Sequence, residues 1–209
     1  MVRPKSDIDL RIVHAARARF LTEGVDGASL RAIAKDANTS IGMVYYYFPN
    51  KDDLFLAIVE EVYERLLADL ALALAPEVPV GERIERLYAR VGRLSDEELL
   101  VMRLVVREAL VSSSRLDRII ERFQRGHIPL VLRTIADGLA DGTLDQRRHP
   151  LVLISSVVAV GLVPQVVRRV LAERLPGLGL PQGTDLARQL VEVLLHGIGA
   201  VPSGGRAEE

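Results

Sequence analysis

The 209-residue sequence contains no cysteine. Disulfide bonds and thiolate chemistry are therefore excluded, and the cytosol is the natural compartment for such a chain. Lysine is scarce too, because it occurs only at positions 5, 35 and 51, whereas arginine, alanine and leucine are used heavily. This usage is compatible with a GC-rich bacterial genome. Residues 2–9 are polar and show no apolar signal-peptide segment, so we expect a cytoplasmic protein.

Charge is almost balanced over the whole chain, which carries a net charge of -1 at pH 7. This balance argues against a generally basic nucleic-acid-binding protein, but the charges are unevenly distributed. Residues 1–51 hold eight basic and five acidic side chains, a net charge of +3, and the remainder is acidic by four charges. The asymmetry fits a small basic segment on an acidic body. A hydrophobic fraction of 49% is ample for a sizeable core.

Apolar residues recur at helical spacing along almost the whole chain, and no segment alternates in the manner of a strand. The pattern predicts an all-α protein. The first helix is expected to begin at Ser6, a good N-cap followed by acidic residues. It should carry Ile8, Ile12, Ala16 and Phe20 inward and stop at Gly24, which can take the left-handed C-cap conformation.

Two short helices should follow. Ser29 can cap the first, over residues 30–36, and Thr39 or Ser40 can cap the second, which runs to about Phe48. The residue before a proline avoids the helical region, so Pro49 should end it.

Longer helices are predicted over most of the remaining chain. Pro129 and Pro164 lie inside two of them and are expected to kink them. Residues 141–150 and 176–183 are predicted loops, and the tail after Pro202 is expected to be disordered. The predicted helices cover residues 51–75, 81–93, 95–113, 115–140, 150–174 and 184–198.

Residues 29–48 carry the functional signal. Two short helices joined by three or four residues, with small Ala34 and Ala37 near their crossing, are typical of a helix-turn-helix. The turn needs one residue with positive φ, which Asn38 tolerates better than most non-glycines. Val44 and Phe48 lie one turn apart and should face the core with Ile33.

That rotation points Gly42, Met43, Tyr46 and Tyr47 outward. Exposed aromatic hydroxyls are easiest to explain as donors to DNA phosphate oxygens. The alternative is a helical pair in some other bundle, with the tyrosines packed against a neighbour.

Over about residues 8–56 the sequence resembles the tetracycline-repressor (TetR) family, and the family's Tyr-x-x-Phe-x-x-Lys ending stands here as Tyr45, Phe48 and Lys51. Beyond residue 56 the resemblance is one of architecture. The residues that carry it are Ile12, Ala15, Ala16, Phe20, Gly24, Ser29, Ile33, Ala34, Ala37, Ser40, Gly42, Val44, Tyr45, Phe48, Lys51 and Leu54.

The resemblance implies an N-terminal three-helix domain with a helix-turn-helix (residues 1–50). A long fourth helix joins it to a helical ligand-binding and dimerisation domain (residues 51–200), and residues 201–209 form a tail. It implies a dimeric repressor that a small, largely apolar ligand releases from a palindromic operator. The implied DNA-contact residues are Ser29, Arg31, Ser40, Ile41, Gly42, Met43, Tyr45, Tyr46, Tyr47 and Lys51.

Within that set the resemblance assigns different roles. Ser29, Tyr45, Tyr46 and Lys51 would contact phosphates, and the N-terminal dipole of the fourth helix would also favour an anion near Lys51. Arg31 would read guanine with two hydrogen bonds.

The sequence departs from the family's pattern at three positions. Asn38 replaces the usual turn glycine, Ile41 stands where a polar or basic residue is common, and Tyr47 replaces a frequent histidine. Ile41 would suit a thymine methyl group. Arg3 and Lys5 could form a basic arm that reaches the DNA backbone or minor groove.

The body should supply a dimer interface and a ligand pocket. Residues 151–167 are uncharged and barely long enough to span a bilayer, so a helix buried all round, inside a subunit and against a partner, is the stronger interpretation. By resemblance the last two helices would pair with their copies through Leu151, Ser155, Val158, Leu162, Leu186, Leu190, Val193 and Leu194. Candidate pocket residues, each with ordinary core packing as the alternative, are Tyr63, Leu67, Tyr88, Met102, Val106, Phe123 and His127.

No chemistry beyond binding is indicated. The four histidines are too scattered in sequence to suggest a metal site, and neither a phosphate loop nor a nucleophile motif occurs. We therefore expect neither a cofactor nor enzymatic activity, and no membrane partner. Two alternatives stay open: a ligand-independent activator or architectural DNA-binding protein, and a helical enzyme or lipid carrier.

Overall fold

The computed structural model describes residues 7–111, 114–175, 177, 179–181 and 183–198. Over these ranges the chain forms α-helices and no strand, which confirms the all-α class. The helices are α1 (Asp7–Gly27), α2 (Leu30–Asp36), α3 (Ile41–Tyr47), α4 (Lys51–Ala73), α5 (Val80–Val91), α6 (Asp96–Val111), α7 (Ser114–Gln124), α8 (His127–Ala140), α9 (Pro150–Arg174) and α10 (Gly183–Ile198).

The predicted helices agree with these bounds at most places, but two expectations were wrong. The single helix predicted over 115–140 is two helices, because Gly126 adopts a non-helical conformation (φ -119°, ψ -112°) before α8. Pro129 therefore lies in the first turn of α8, where a missing N–H costs no helical hydrogen bond and no kink is required.

Gly24 takes a positive φ of 77° and interrupts the helical geometry where the sequence predicted the first helix to stop. One further turn follows this kink, and α1 ends at Gly27. Ser6, Arg3, Lys5 and the tail after Pro202 lie outside the described residues.

The chain divides into two compact units, of which the first comprises Met1–Leu66 and Ser95–Phe123. Its core forms where the apolar stripe of α1 packs on the helices that follow, because Ile12, Ala16 and Phe20 recur at four-residue intervals. The rings of Phe20 and Phe55 lie 6.5 Å apart. The fully buried members of this core include Ile12, Ala16, Phe20, Ile33, Val44, Leu54, Phe55 and Ile58.

The second unit comprises Leu67–Leu94 and Gln124–Glu209, and α5, α8, α9 and α10 pack together in it. Tyr88 of α5 lies at the centre of its core, where burial raises the pKa of the phenol and the hydroxyl donates to the Val157 carbonyl at 2.9 Å. The core residues are Val80, Ile84, Tyr88, Ile135, Leu144, Leu153, Val157, Ala187, Val191 and Leu194.

Within the single chain, α9 is not buried all round. Leu153, Val157, Gly161 and Gln165 form a buried stripe at four-residue spacing, and the other faces are exposed or half-buried. By length and composition α9 could cross a membrane, since an 18-residue window has a mean hydropathy of 2.1. One such helix is weak support for a membrane protein, because apolar helices of soluble proteins meet the same criterion.

Candidate nucleic-acid interface

The centre of the candidate site is the turn between α2 and α3. Asn38 adopts a φ of 49°, as the sequence predicted, and Ser40 caps α3 by accepting the N–H of Met43 at 3.2 Å. Arg11 of α1 donates to the carbonyl of Ala37 at 3.0 Å and so holds the turn from the side of the first helix. The same nitrogen, Nη1, also reaches the carbonyl of Asn38 at 3.4 Å, so the turn is fixed by local capping and by Arg11 of α1.

The rotation of α3 about its axis follows from its buried side. Val44 is fully buried among the core residues, and this places Tyr45 and Tyr46 outward, 54% and 56% exposed. Gly42 is exposed as well. Tyr47, expected to point outward, is half-buried because its ring packs edge-on against that of Tyr46, with centroids 5.1 Å apart.

The remaining candidate contacts lie on α3 itself, on α2 and at the N-caps of these two helices. Ser29, Arg31 and Ser40 are exposed, whereas Ile41 and Met43 are half-buried. None of the seven residues of α3 is charged, so formal positive charge comes from other elements. The structure places these side chains on accessible positions, and their individual contacts with DNA stay predictions.

Lys51 begins α4 and is anchored to the end of α1. Its Nζ donates to the backbone carbonyl of Asp26 at 2.7 Å. The start of α4 is also capped locally, since the Asn50 side chain accepts the Asp53 N–H at 2.8 Å. Asp52 and Asp53 lie in the first turn, so carboxylates already occupy the positive end of the helix dipole. These carboxylates already offset part of the positive potential at the start of α4.

Arg115 of α7 joins three carboxylates from three other helices. Its Nε donates to Glu108 at 2.6 Å, Nη1 to Asp52 at 2.9 Å, and its two terminal nitrogens to Asp26 at 3.0 and 3.1 Å. Sequence reasoning missed this group, which we call the Arg115 cluster (Asp26, Asp52, Glu108 and Arg115). Asp26 and Asp52 lie 89 and 63 residues from Arg115, and no sequence spacing links them.

Other arginines of the first unit, on α1, α6 and α7, also make contacts between its helices. A Cβ on Gly24 would lie 2.8 Å from Nη2 of Arg107. Arg118 donates to Asp53 at 3.0 Å, and Arg17 of α1 pairs with Glu97. Glu108 of α6 is buried and ion-paired with Arg115, while Arg103 and Arg107 of the same helix are exposed.

The predicted pocket residues are distributed over both units. Tyr63 packs its ring against Phe123 at 5.0 Å, with Met102 half-buried and Val106 exposed in the same unit. Leu67, Tyr88 and His127 belong to the second unit. Burial lowers the pKa of His127, which favours its neutral form. Because Tyr88 is fully packed and its hydroxyl is engaged, its position favours the core alternative.

A cleft of about 500 Å³ in the second unit lies away from these residues. Arg83 at its wall donates to the Pro76 and Val78 carbonyls and to Asp137, at 2.5 to 2.6 Å, and holds the loop before α5. The cleft is lined by Pro76, Glu77, Val78, Pro79, Val80, Arg83, Asp137, Ala140 and Asp141.

Among the described residues no group of three or more metal-ligating side chains converges.

The predicted dimer residues lie on α9 and α10 with different exposures. Leu151, Ser155, Val158 and Val193 are exposed, and Leu162, Leu186 and Leu190 are half-buried. Leu194 is only 2% exposed, because it packs in the core of its own unit. Further exposed apolar residues of α9, not predicted, are Val152, Val163, Val167 and Val170.

Residues 12–58 match the model of the bacterial regulatory proteins of the tetR family. The matched segment covers most of α1, all of α2 and α3 and the start of α4, and so contains the candidate interface.

Two relatives extend this match. The uncharacterised HTH-type transcriptional regulator YhgD of Bacillus subtilis is 23% identical over 137 residues, 64% of this chain and 70% of YhgD. The HTH-type nicotine-responsive transcriptional repressor HdnoR of Paenarthrobacter nicotinovorans is 36% identical over 67 residues, 32% of this chain and 37% of HdnoR.

A solved structure shares the fold of this chain over almost its whole length. The transcriptional regulator FadR from Bacillus subtilis, in complex with stearoyl-CoA, superposes with a TM-score of 0.70. The two are 17% identical, and the match covers 90% of this chain and 98% of that one.

Proposed function

We propose that this chain, a DNA-binding transcriptional regulator that belongs to the tetR family, is a homodimeric repressor released from a palindromic operator by a small, largely apolar effector. Residues 1–50 would form the DNA-binding domain and residues 51–200 the ligand-binding and dimerisation domain, in a bacterial cytoplasm. The observation that carries the proposal is α3, a capped helix whose one buried residue, Val44, leaves Tyr45 and Tyr46 facing solvent.

The DNA contacts follow from this arrangement. In a helix-turn-helix the second helix lies in the major groove, and its N-terminal residues face base edges. Ile41, Gly42 and Met43 would then lie at the bases. The hydroxyls of Tyr45 and Tyr46 can donate to phosphates on the flanks, with Lys51 as a cationic anchor.

Dimerisation would set the spacing between the two recognition helices that read a palindromic operator. Two copies of α3 related by a two-fold axis read half-sites about 34–36 Å apart or at a multiple of that distance. The exposed apolar side chains of α9 and α10, Leu151, Val158 and Val193, are costly to leave in water and would be covered by their copies.

Release by an effector is supported by the relatives. HdnoR is described as nicotine-responsive, and the superposed FadR binds stearoyl-CoA. For this chain we propose an effector of apolar character, bound in the body. Effector and DNA would weaken each other's binding reciprocally, by about 1–3 kcal/mol or more.

The proposal is tested by selecting duplexes from a random-sequence library with the full-length chain. We expect enrichment of a palindrome, bound by two chains in size-exclusion chromatography with light scattering. A library of apolar small molecules is then screened for release of the selected duplex. Failure to enrich any sequence would overturn the DNA-binding role, and unchanged DNA affinity across the screen would argue against induction.

A further inference from the structure

We propose that Arg115 is a positioning residue for DNA binding. Its guanidinium fixes the C-terminal end of α1 and the N-terminal end of α4, and these two ends hold Lys51 in place. The role requires that Lys51 contacts DNA, so the inference rests on the proposed function. Arg115 itself is buried, with a side chain 9% exposed. It would act through Lys51 rather than touch DNA.

The geometry of the Arg115 cluster suits a fixing role. A guanidinium presents five donors in a rigid planar fork, so it can hold several carboxylates at defined angles where an ammonium cannot. Here one edge of the fork is bidentate to Asp26 of α1, one nitrogen also reaches Asp52 of α4, and Nε reaches Glu108 of α6. One side chain therefore joins four helices of the first unit.

The link from the cluster to Lys51 is a single backbone group. Lys51 donates from Nζ to the carbonyl of Asp26, the residue whose carboxylate Arg115 holds. Asp52, the residue after Lys51, is held by the same guanidinium. An ammonium has three donors, so this one bond leaves two for a phosphate. Arg115 thus fixes both the acceptor that orients Lys51 and the chain that carries it.

Removing Arg115 would leave the negative charge of the three carboxylates in the cluster unbalanced. Hydrogen bonds from Arg115 lower the pKa of Asp26. Burial opposes the charge on Arg115, but the hydrogen bonds to Asp26, Glu108 and Asp52 outweigh it and raise its pKa. Without the guanidinium, three carboxylates would repel one another beside the surface that must approach DNA phosphates.

Two other arginines of α6 and α7 make contacts in the same unit but do not hold Asp26 or Asp52. Arg107 of α6 lies against Gly24, and Arg118 of α7 pairs with Asp53. Arg118 makes a partly exposed pair with one carboxylate and does not reach Asp26. It is therefore a matched control, from the same helix, for the removal of one arginine.

The experiment measures whether Lys51 still contributes to DNA affinity when Arg115 is absent. Lys51→Ala is combined with Arg115→Met, Asp26→Asn or Arg118→Met, and each protein binds the selected duplex over a series of salt concentrations. A neutralised phosphate contributes about 0.9 to the slope of log affinity against log salt. Far-UV circular dichroism and thermal unfolding check that each variant is folded.

We expect Lys51→Ala to weaken binding roughly tenfold and to reduce the salt slope by about one per protomer in the wild-type and Arg118→Met backgrounds. In the Arg115→Met and Asp26→Asn backgrounds the same substitution should change affinity less than twofold. A merely structural role would lower the affinity of every variant but leave the contribution of Lys51 intact.

An equal loss on Lys51→Ala in all backgrounds would overturn the inference while the proposed function stands. If Arg115→Met does not fold, Asp26→Asn decides alone, because the Asp26 side chain is mostly exposed and its loss leaves the core intact. Failure of the wild-type chain to select any duplex would overturn the proposed function and the inference with it.

Discussion

Gly161 of α9 leaves the space that the ring of Tyr88 fills. A Cβ on Gly161 would overlap the Cε1 and Cδ1 atoms of that ring. The ring cannot move freely, because its hydroxyl is bonded to the carbonyl of Val157 one turn earlier on α9. Helix α9 therefore approaches α5 closely at a position where any side chain would be excluded.

This contact predicts that Gly161→Ala destabilises the second unit, by about 1–3 kcal/mol, as is usual for overpacking a core. Gly81→Ala is the matched control, because its Cβ would lie 3.8 Å from Leu195 in ordinary van der Waals contact. Urea denaturation followed by circular dichroism measures both. Equal stability of the two variants would show that α5 and α9 can separate without cost.

The positive φ of Asn38 predicts opposite effects of two substitutions. Asn38→Gly should keep or slightly raise the free energy of unfolding, whereas Asn38→Ala should lower it by about 1 kcal/mol, since a Cβ without a local polar group is strained there. Thermal unfolding of both variants makes the comparison. Alanine as stable as glycine would mean that the turn relaxes to negative φ.

The lowered pKa of Asp145 predicts that the folded protein loses stability in acid. Hydrogen bonds from the Arg147 side chain and backbone hold the pKa of Asp145 at about 2, below its ordinary value of 3.8. The folded state therefore binds fewer protons than the unfolded state between these values. The stabilisation is complete above about pH 4 and is lost as the pH falls towards 2.

Denaturant unfolding at pH 5 and pH 2.5 checks this. The difference in unfolding free energy between the two pH values should shrink in Asp145→Asn. It should shrink also in Arg147→Gln, which removes the side-chain donor. Wild-type pH dependence in both variants would contradict the assignment.

Arg31 and Lys51 should differ in what they contribute to DNA binding. Lys51→Ala should weaken all sequences similarly, because a phosphate contact carries no base information. Arg31→Ala should reduce the favourable binding free energy by about 1–3 kcal/mol through one base pair of each half-site, and selectivity for that base pair should relax. Competition binding against single-base variants of the selected duplex measures this. Intact site preference in Arg31→Ala would exclude base reading by Arg31.

The absence of charge from α3 predicts that apolar contacts take part in base reading. Ile41, the first residue of α3, would meet a thymine methyl group under the proposed function, and the loss of one methyl contact is worth about 0.8 kcal/mol. Replacing thymine by uracil in the selected duplex should weaken binding about fourfold at one position of each half-site. Ile41→Ala should bind the thymine and uracil duplexes equally. Insensitivity of the wild-type chain to every such replacement would rule out this contact.

The local features of the first fifty residues could be predicted because nearby residues decide them. The Ser40 cap and the positive φ of Asn38 depend on the residues next to them in the chain, and periodicity alone placed Val44 inward. Ser29 occupies the N-cap position of α2 as predicted, but its side chain makes no capping hydrogen bond there. The break at Gly126 was missed, since an apolar pattern that continues across one glycine does not reveal the conformation there.

The sequence by itself determined the helical class, the turn chemistry and the family resemblance of the N-terminal segment, because these follow from short-range spacing and steric preference. Tertiary structure decided which apolar residues are core and which are surface: Leu194 is buried, whereas Val193 beside it is exposed. It also decided the Arg115 cluster and the fit of Tyr88 against Gly161. Those contacts join residues far apart in sequence, and only the packing of helices at specific crossings brings their side chains within bonding distance.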